Sequence, residues 1–268
     1  MQTKRKQTAG MSRSPPESQS AISWRISPDR ILQLSSNNAR ASIPSAHALI
    51  MAIINVTPDS FSDGAQHNDL HRACAFAQLC IDDGARILDI GGESTRPGAA
   101  PVSVDEQIAR TQPVIARLAK DLPSTLAISI DTTHAIVAEA ALDAGATIIN
   151  DVSAGQDDPN MFALVARRQC GYVLMHRLCE PSKDSYSDQY TDAPNYSDVV
   201  SQVCAWLQAR AYLAEAAGIG RESIAVDLDW DLEKQSSKTF HSSRGCVKSS
   251  RLDIQLSCLQ VANHFLEQ

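Results

Sequence analysis

Six short apolar runs, separated by helical patterns and each giving way to polar residues, constrain what this chain can fold into more than any other feature. The runs are Leu49–Ile54, Arg86–Ile90, Leu126–Ile130, Ala146–Ile149, Tyr172–Met175 and Ile224–Val226. Strands alternating with helices imply a parallel sheet joined by right-handed crossovers. The helices carry their own punctuation. Ser103-Val-Asp-Glu106 reads as a capping box, with Ile108, Ile115 and Leu118 on one face behind it and Pro113 expected to kink the helix. Asp158 before Pro159 reads as a capping carboxylate, and Gly84, Gly145 and Gly218 stand where three helices should end. The longest helix is expected over 196–217, burying Val199, Val203 and Leu207.

The residues just after each run decide between two α/β architectures. Asn55 ends the first, Gly91-Gly92-Glu93-Ser94-Thr95-Arg96 the second, Asp131-Thr132 the third, Asn150-Asp151 the fourth, His176-Arg177 the fifth and Asp227 the sixth. An open doubly-wound sheet would gather its ligand groups at one switch point. Polar groups at the end of every strand instead predict a (β/α)8 TIM barrel, whose reacting groups project from the C-terminal ends of different strands. With 268 residues the chain is long enough for one such barrel, typically about 250 residues.

Composition excludes other classes. A net charge of −7 without a Lys/Arg stripe argues against nucleic acid as the partner. No apolar run approaches the roughly 20 residues that span a bilayer. Seven cysteines without a Cys-x-x-Cys pair look like free thiols of a reducing, cytoplasmic compartment. Residues 1–45, rich in Ser, Pro and Arg, are expected to be a disordered leader, with Met11 as an alternative start.

Taken singly, the strand-end residues have ordinary explanations. Asp131 could cap the next helix, His176 could be a satisfied, partly buried histidine, and Asp59, Ser60 and Asp63 could be turn residues. Together, Asp131, Asn150 and Asp227 offer carboxylate acceptors and an amide, a set suited to a flat heterocycle with several N–H donors. Asn55 is neither acid nor base, but its amide oxygen suits a hard cation such as Mg²⁺ that takes its other ligands from water and phosphate. Arg96, in a Gly/Pro-bounded loop, suits a diphosphate or a carboxylate.

Five stretches resemble the dihydropteroate synthase family of folate biosynthesis. They are Asn55-Val-Thr-Pro-Asp-Ser-Phe-Ser-Asp-Gly64, Asp89-Ile-Gly-Gly-Glu-Ser-Thr-Arg-Pro-Gly98, Ser129-Ile-Asp-Thr132, Ile149-Asn-Asp-Val-Ser153 and Leu174-Met-His176, with Ala65 replacing a usual glycine. The resemblance implies condensation of 6-hydroxymethyl-7,8-dihydropterin diphosphate with 4-aminobenzoate, releasing diphosphate. It implies that Asp131, Asn150, Asp227 and Met175 bind the pterin and that Asn55 binds Mg²⁺. By the same resemblance Thr57, Pro58, Phe61, Thr95, Arg96 and Pro97 lie in two closing loops around 4-aminobenzoate, the site that sulfonamide drugs imitate. Asp131, Asp227 and Arg96 would carry the catalysis, with charge neutralisation rather than a strong base driving carbon–oxygen cleavage. The alternatives are a non-catalytic pterin-binding fragment and a pterin-dependent methyltransferase.

Beyond Asp227 the family pattern stops. A reading-frame slip would account for it: with suitable synonymous codons, restoring one base after the Asp227 codon lets Leu228–Gln235 be written as Pro-Gly-Leu-Gly-Phe-Gly-Lys-Thr, which resembles a family motif. The same frame lets Gln260–Gln268 yield Ser-Arg-Lys-Ser-Phe-Leu-Gly-Ala, a second family motif. The expected organisation is therefore a leader (1–45), an incomplete barrel (46–227) of six units, and an aberrant tail (228–268). The first and sixth strands should lack their closing neighbours, and solubility and activity should be poor. The missing C-terminal helices place the family's homodimer in doubt.

Overall fold

The computed structural model describes residues 23–33, 49–57, 66–94, 98–177, 182, 199–227 and 260–262. Six parallel strands succeed one another across a sheet in chain order: β3 (Ile50–Asn55), β4 (Ile87–Gly91), β5 (Ala127–Asp131), β6 (Ile148–Asp151), β7 (Gly171–Met175) and β8 (Ile224–Asp227). An antiparallel hairpin, β1 (Ser23–Ser27) and β2 (Arg30–Gln33), precedes them. The intervening helices are α1 (Gln66–Asp82), α2 (Val104–Asp121), α3 (Ala135–Ala144), α4 (Met161–Arg168) and α5 (Val199–Ala216). Sequential parallel staves separated by helices are the arrangement of a (β/α)8 barrel, six of whose strands stand in order among the described residues.

Period-two alternation sends residues of each strand to opposite faces, and the parallel register carries each face across the sheet. One face holds Ile54, Leu88, Ile90, Ile128, Ile130, Ile149, Leu174 and Val226, buried against the helices. The other face is the barrel interior, where Met51, Ile87, Ala127, Ile148, Val173 and Ala225 form one apolar cluster. The hairpin seals this floor with Trp24, Ile26 and Leu32. Gly171 makes room for it, since a Cβ there would stand 3.1 Å from Ile26 and 3.2 Å from Trp24. The indole Nε1 of Trp24 donates to the carbonyl of Ser223 at 2.9 Å, tying the hairpin to the approach to β8.

Several expectations hold. The strands fall where the apolar runs place them, and Ser103 Oγ accepts from the backbone N–H of Glu106. Gly84, Gly145 and Gly218 all take positive φ at helix ends. Among the described residues Cys74, Cys80, Cys170 and Cys204 take part in no disulfide bond. Others are corrected. The expected leader contains an ordered hairpin at 23–33, because Trp24, Ile26 and Leu32 supply apolar area that the floor requires. The tail contributes a strand, β9 (Gln260–Ala262), which pairs in parallel with β3, so the first stave has a neighbour on each side. Helix α2 spans Val104–Asp121 with Pro113 inside it, where the sequence places it.

Candidate active site at the carboxyl ends of the strands

The sheet register brings the polar strand ends together. Asn55 pairs with Gly91, Gly91 with Asp131, and Asp131 with Asn150, so these four form one row across the interior face. Met175 pairs with Asp227 further round. Each of Asn55, Asp131 and Asp227 is the last residue of its strand, one residue further into the ladder than the apolar runs suggest, while Met175 ends both its run and its strand. Ladder hydrogen bonds therefore hold their backbones in place, which a loop would not do. Glycine at 91 lets the row close up, because a Cβ there would lie 3.0 Å from Asn55 Oδ1.

One layer below, Asp89 is 2% exposed and accepts from Asn150 Nδ2 at 2.8 Å. Four buried oxygens of this cluster, Asp89 Oδ1, Ser129 Oγ, Asp131 Oδ1 and Asn150 Oδ1, have no hydrogen-bond partner among the described residues. Burial holds the Asp131 carboxyl well above its usual range, and the charges of Asp89, Asp151 and Glu93 add to the effect. Burial likewise raises Asp89 and Glu93. Acceptors outnumber donors in this cluster, so it is complementary to a ligand rich in N–H groups.

Helix α2 braces the adjacent loop. The buried Gln107 donates through Nε2 to Glu93 and to the carbonyl of Val102, and accepts through Oε1 from the Thr132 hydroxyl. Arg110 donates to the Gly92 carbonyl at 2.9 Å. Gly92 admits this approach, as a Cβ would stand 3.1 Å from Gln107 Cα.

Neighbouring residues separate cleanly into site and scaffold. Asp151, next to Asn150 but on the opposite face, accepts from Ser153 N and Oγ, Gly155 N and Tyr172 OH, all within 2.8 Å. It ties down the β6–α4 loop, where Ala154 takes φ +50° and its carbonyl accepts from Arg210. Asp131 is no helix cap, because the N–H of Ala135 at the start of α3 donates to Asp158 Oδ2 at 2.8 Å. That contact also corrects the expected role of Asp158, whose carboxylate reaches across to α3 as well as accepting from Asn160 before α4. His176 packs edge-on against Trp206, ring centroids 4.9 Å apart, and burial lowers its pKa.

Thr57 is described and half-buried, whereas Pro58, Phe61, Thr95, Arg96 and Pro97 lie outside the described residues, as do Asp59, Ser60 and Asp63. Among the described residues no group of three His, Cys, Asp or Glu side chains could hold a metal ion. Asn55 supplies a single amide oxygen at the mouth, which fits a cation that draws its other ligands from a bound phosphate and water. Asp89, Gln107 and Thr111 were not singled out from the sequence. Asp89 was findable as a charge inside the otherwise apolar run Ile87–Ile90, and Gln107 and Thr111 as polar residues on the buried face of α2. A cavity of about 270 Å³ lined by Arg25, Cys170 and Ser223 lies at the opposite, floor end; burial pushes the Cys170 thiol up to about 12, so it is no nucleophile there.

The fold and site define a class, the (β/α)8 barrels that carry polar groups at the carboxyl ends of their strands. The family model described as pterin binding enzyme matches residues 51–252, and the chain belongs to that family. It is 43% identical over 195 residues to the dihydropteroate synthase of Bacillus subtilis, an alignment covering 73% of this chain and 62% of that protein. The structure of Xanthomonas albilineans dihydropteroate synthase with 4-aminobenzoic acid superposes with a TM-score of 0.63 at 39% identity, covering 77% of this chain and 66% of that one. The same enzyme in complex with 7,8-dihydropteroate gives a TM-score of 0.59 at 36% identity, covering 76% and 64%. The chain thus spans slightly less than two thirds of the length of each of these relatives.

Proposed function

We propose that this chain is a dihydropteroate synthase, joining 6-hydroxymethyl-7,8-dihydropterin diphosphate to 4-aminobenzoate in the cytoplasm. The observation that carries the reading is the set of buried, partnerless acceptor oxygens on Asp131 and Asn150. A pterin presents ring N–H and amino donors in one plane, and such donors would relieve the desolvation cost these oxygens bear. Asp131, Asn150 and Asp227 hold the ring, and Met175, in register with Asp227, packs beside it.

The chemistry asks little of a general base. The pterin methylene carbon loses its bond to the diphosphate oxygen, whose electron pair leaves with the diphosphate, and the aromatic amine attacks that carbon and sheds a proton. Asp131 and Asp227 stabilise positive charge that develops on the ring. Asn55 would hold a Mg²⁺ ion together with the diphosphate; when bound, such an ion neutralises the leaving group. Thr57, Pro58 and Phe61 on one loop and Thr95, Arg96 and Pro97 on the other close over 4-aminobenzoate and exclude water, with Arg96 opposite anionic oxygen.

The test is incubation of the full chain with both substrates and Mg²⁺, monitoring diphosphate and dihydropteroate. Formation of both products, dependent on 4-aminobenzoate, is the expected result. A corrinoid-dependent methyl transfer with no such dependence would overturn it. Because the chain spans 62% of the Bacillus subtilis relative, pterin binding without turnover is the second reading. It predicts saturable binding and no diphosphate.

A further inference from the structure

The two ends of an asparagine amide have nearly the same shape and opposite chemistry, so whatever fixes the amide fixes what it can recognise. Asn150 has such a fixture beneath it. The buried carboxylate of Asp89 faces Nδ2 at 2.8 Å, and an ionised carboxylate only accepts. The opposite orientation would press a carbonyl oxygen against a carboxylate oxygen in a site shielded from water, where charge–dipole repulsion is little screened. Oδ1 of Asn150 is thereby left as the outward end, buried and without a partner. Its in-register neighbour Asp131 also presents a partnerless oxygen, Oδ1.

We propose that Asp89 is a positioning residue: it locks the Asn150 amide with its oxygen toward the ligand and so makes the mouth select rings with an exocyclic amino group over rings with an oxo group in its place. This rests on the pterin reading above and adds the device that sets the selectivity. Asp89 sits in the middle of β4, in register with Ile53 and Ser129, where neither the ring nor the reacting carbon would touch it. Burial raises the Asp89 pKa, and the nearby Ser129 hydroxyl and the hydrogen bond from Asn150 oppose it. Charge-assisted hydrogen bonds are about twice as strong as neutral ones, which is why an uncharged substitute should not hold the amide equally well.

The experiment is fluorescence titration of the full chain with two probes that differ at this group and in the proton on the ring nitrogen beside it, 6-hydroxymethylpterin (2-amino) and 6-hydroxymethyllumazine (2-oxo). The native chain should prefer the pterin by about 100-fold, the range expected when buried polar groups face a mismatched partner. Asp89→Asn, a near-isosteric change, permits the Asn150 amide to turn and should lower that preference at least tenfold. Combining Asp89→Asn with Asn150→Asp moves the carboxylate to the mouth and the amide beneath it, and should restore the preference. A purely structural role would weaken both probes in parallel and leave their ratio unchanged, which would overturn the assignment. Should Asp89→Asn alone fail to fold by circular dichroism, the exchanged pair decides: a retained preference supports the proposal and a lost one overturns it. If the native chain binds neither probe, the pterin reading itself falls, an outcome distinct from an unchanged ratio in the variants.

Discussion

The two ends of the barrel treat buried polar groups in opposite ways. At the floor, Trp24, Ile26 and Leu32 close over Met51, Ile87 and Ala127, and the indole N–H of Trp24 finds the Ser223 carbonyl. At the mouth, Asp89, Asp131 and Asn150 each keep a buried oxygen without a partner. At the floor the one buried indole donor is paired, while the mouth carries desolvated acceptors that a donor-rich ligand would satisfy. In this fold the N-terminal face serves stability and the C-terminal face serves chemistry, and here the division is visible atom by atom.

The sharpest way to break the contrast is to exchange its consequences. Trp24→Ala should cost about 3–5 kcal/mol of stability, because it opens a cavity in the floor and removes a buried hydrogen bond. Equilibrium denaturation in urea measures this, and pterin binding per folded molecule should stay within about twofold. Asp131→Asn should do the reverse. Pterin affinity should fall by about 100-fold or more, while stability should rise by about 1 kcal/mol as an unpaired buried charge is removed. A destabilised Asp131→Asn would mean that the mouth is as self-satisfied as the floor.

The same contrast separates what could be read from the sequence from what could not. The strand ends were legible because apolar runs stopped at polar residues, with a boundary error of at most one residue at every strand end except that of β6, which runs two residues past Ile149. The hairpin was obscured by composition. Its Trp24 and Ile26 alternate with polar residues ahead of Pro28-Asp29, but they stand in a stretch rich in Ser, Arg and Pro that reads as disordered. Strand β9, only three residues long, carries no periodicity to detect. Asp89 was visible as a misplaced charge, yet its service to Asn150 depends on register between β4 and β6 through β5, and register is a property of the folded sheet. The contact from Asp158 to the start of α3 spans 23 residues and two elements, which no local capping rule anticipates.

Titration sharpens the contrast further. The Asp131 carboxyl holds its proton more tightly folded than unfolded, so it subtracts stability above its raised pKa and ceases to do so as pH falls toward the ordinary value of 3.8. The stability advantage of Asp131→Asn should therefore be largest near neutrality and vanish in acid. Denaturation midpoints of the variant and the native chain, compared across pH, should converge as pH falls. Parallel profiles would show that Asp131 is not desolvated.

Asp158 supplies the smallest and most discriminating test, because it is also a carboxylate at the mouth end but a fully engaged one. Burial tends to raise its pKa, yet the backbone N–H groups of Asn160 and Ala135 and the Asn160 side chain together lower it. A lowered folded value contributes stability above the unfolded pKa, and that contribution is lost as pH falls through the folded value. Asp158→Ala should thus cost about 1 kcal/mol near neutral pH, as expected for a lost helix cap, leave pterin binding unchanged, and cost progressively less in acid. The two carboxylate variants would then approach the native chain at low pH from opposite sides, Asp131→Asn from greater stability and Asp158→Ala from less. Position at the mouth is common to both residues. The sign of the difference would depend on whether the folded chain, or only a ligand, supplies each carboxylate's hydrogen-bond donors.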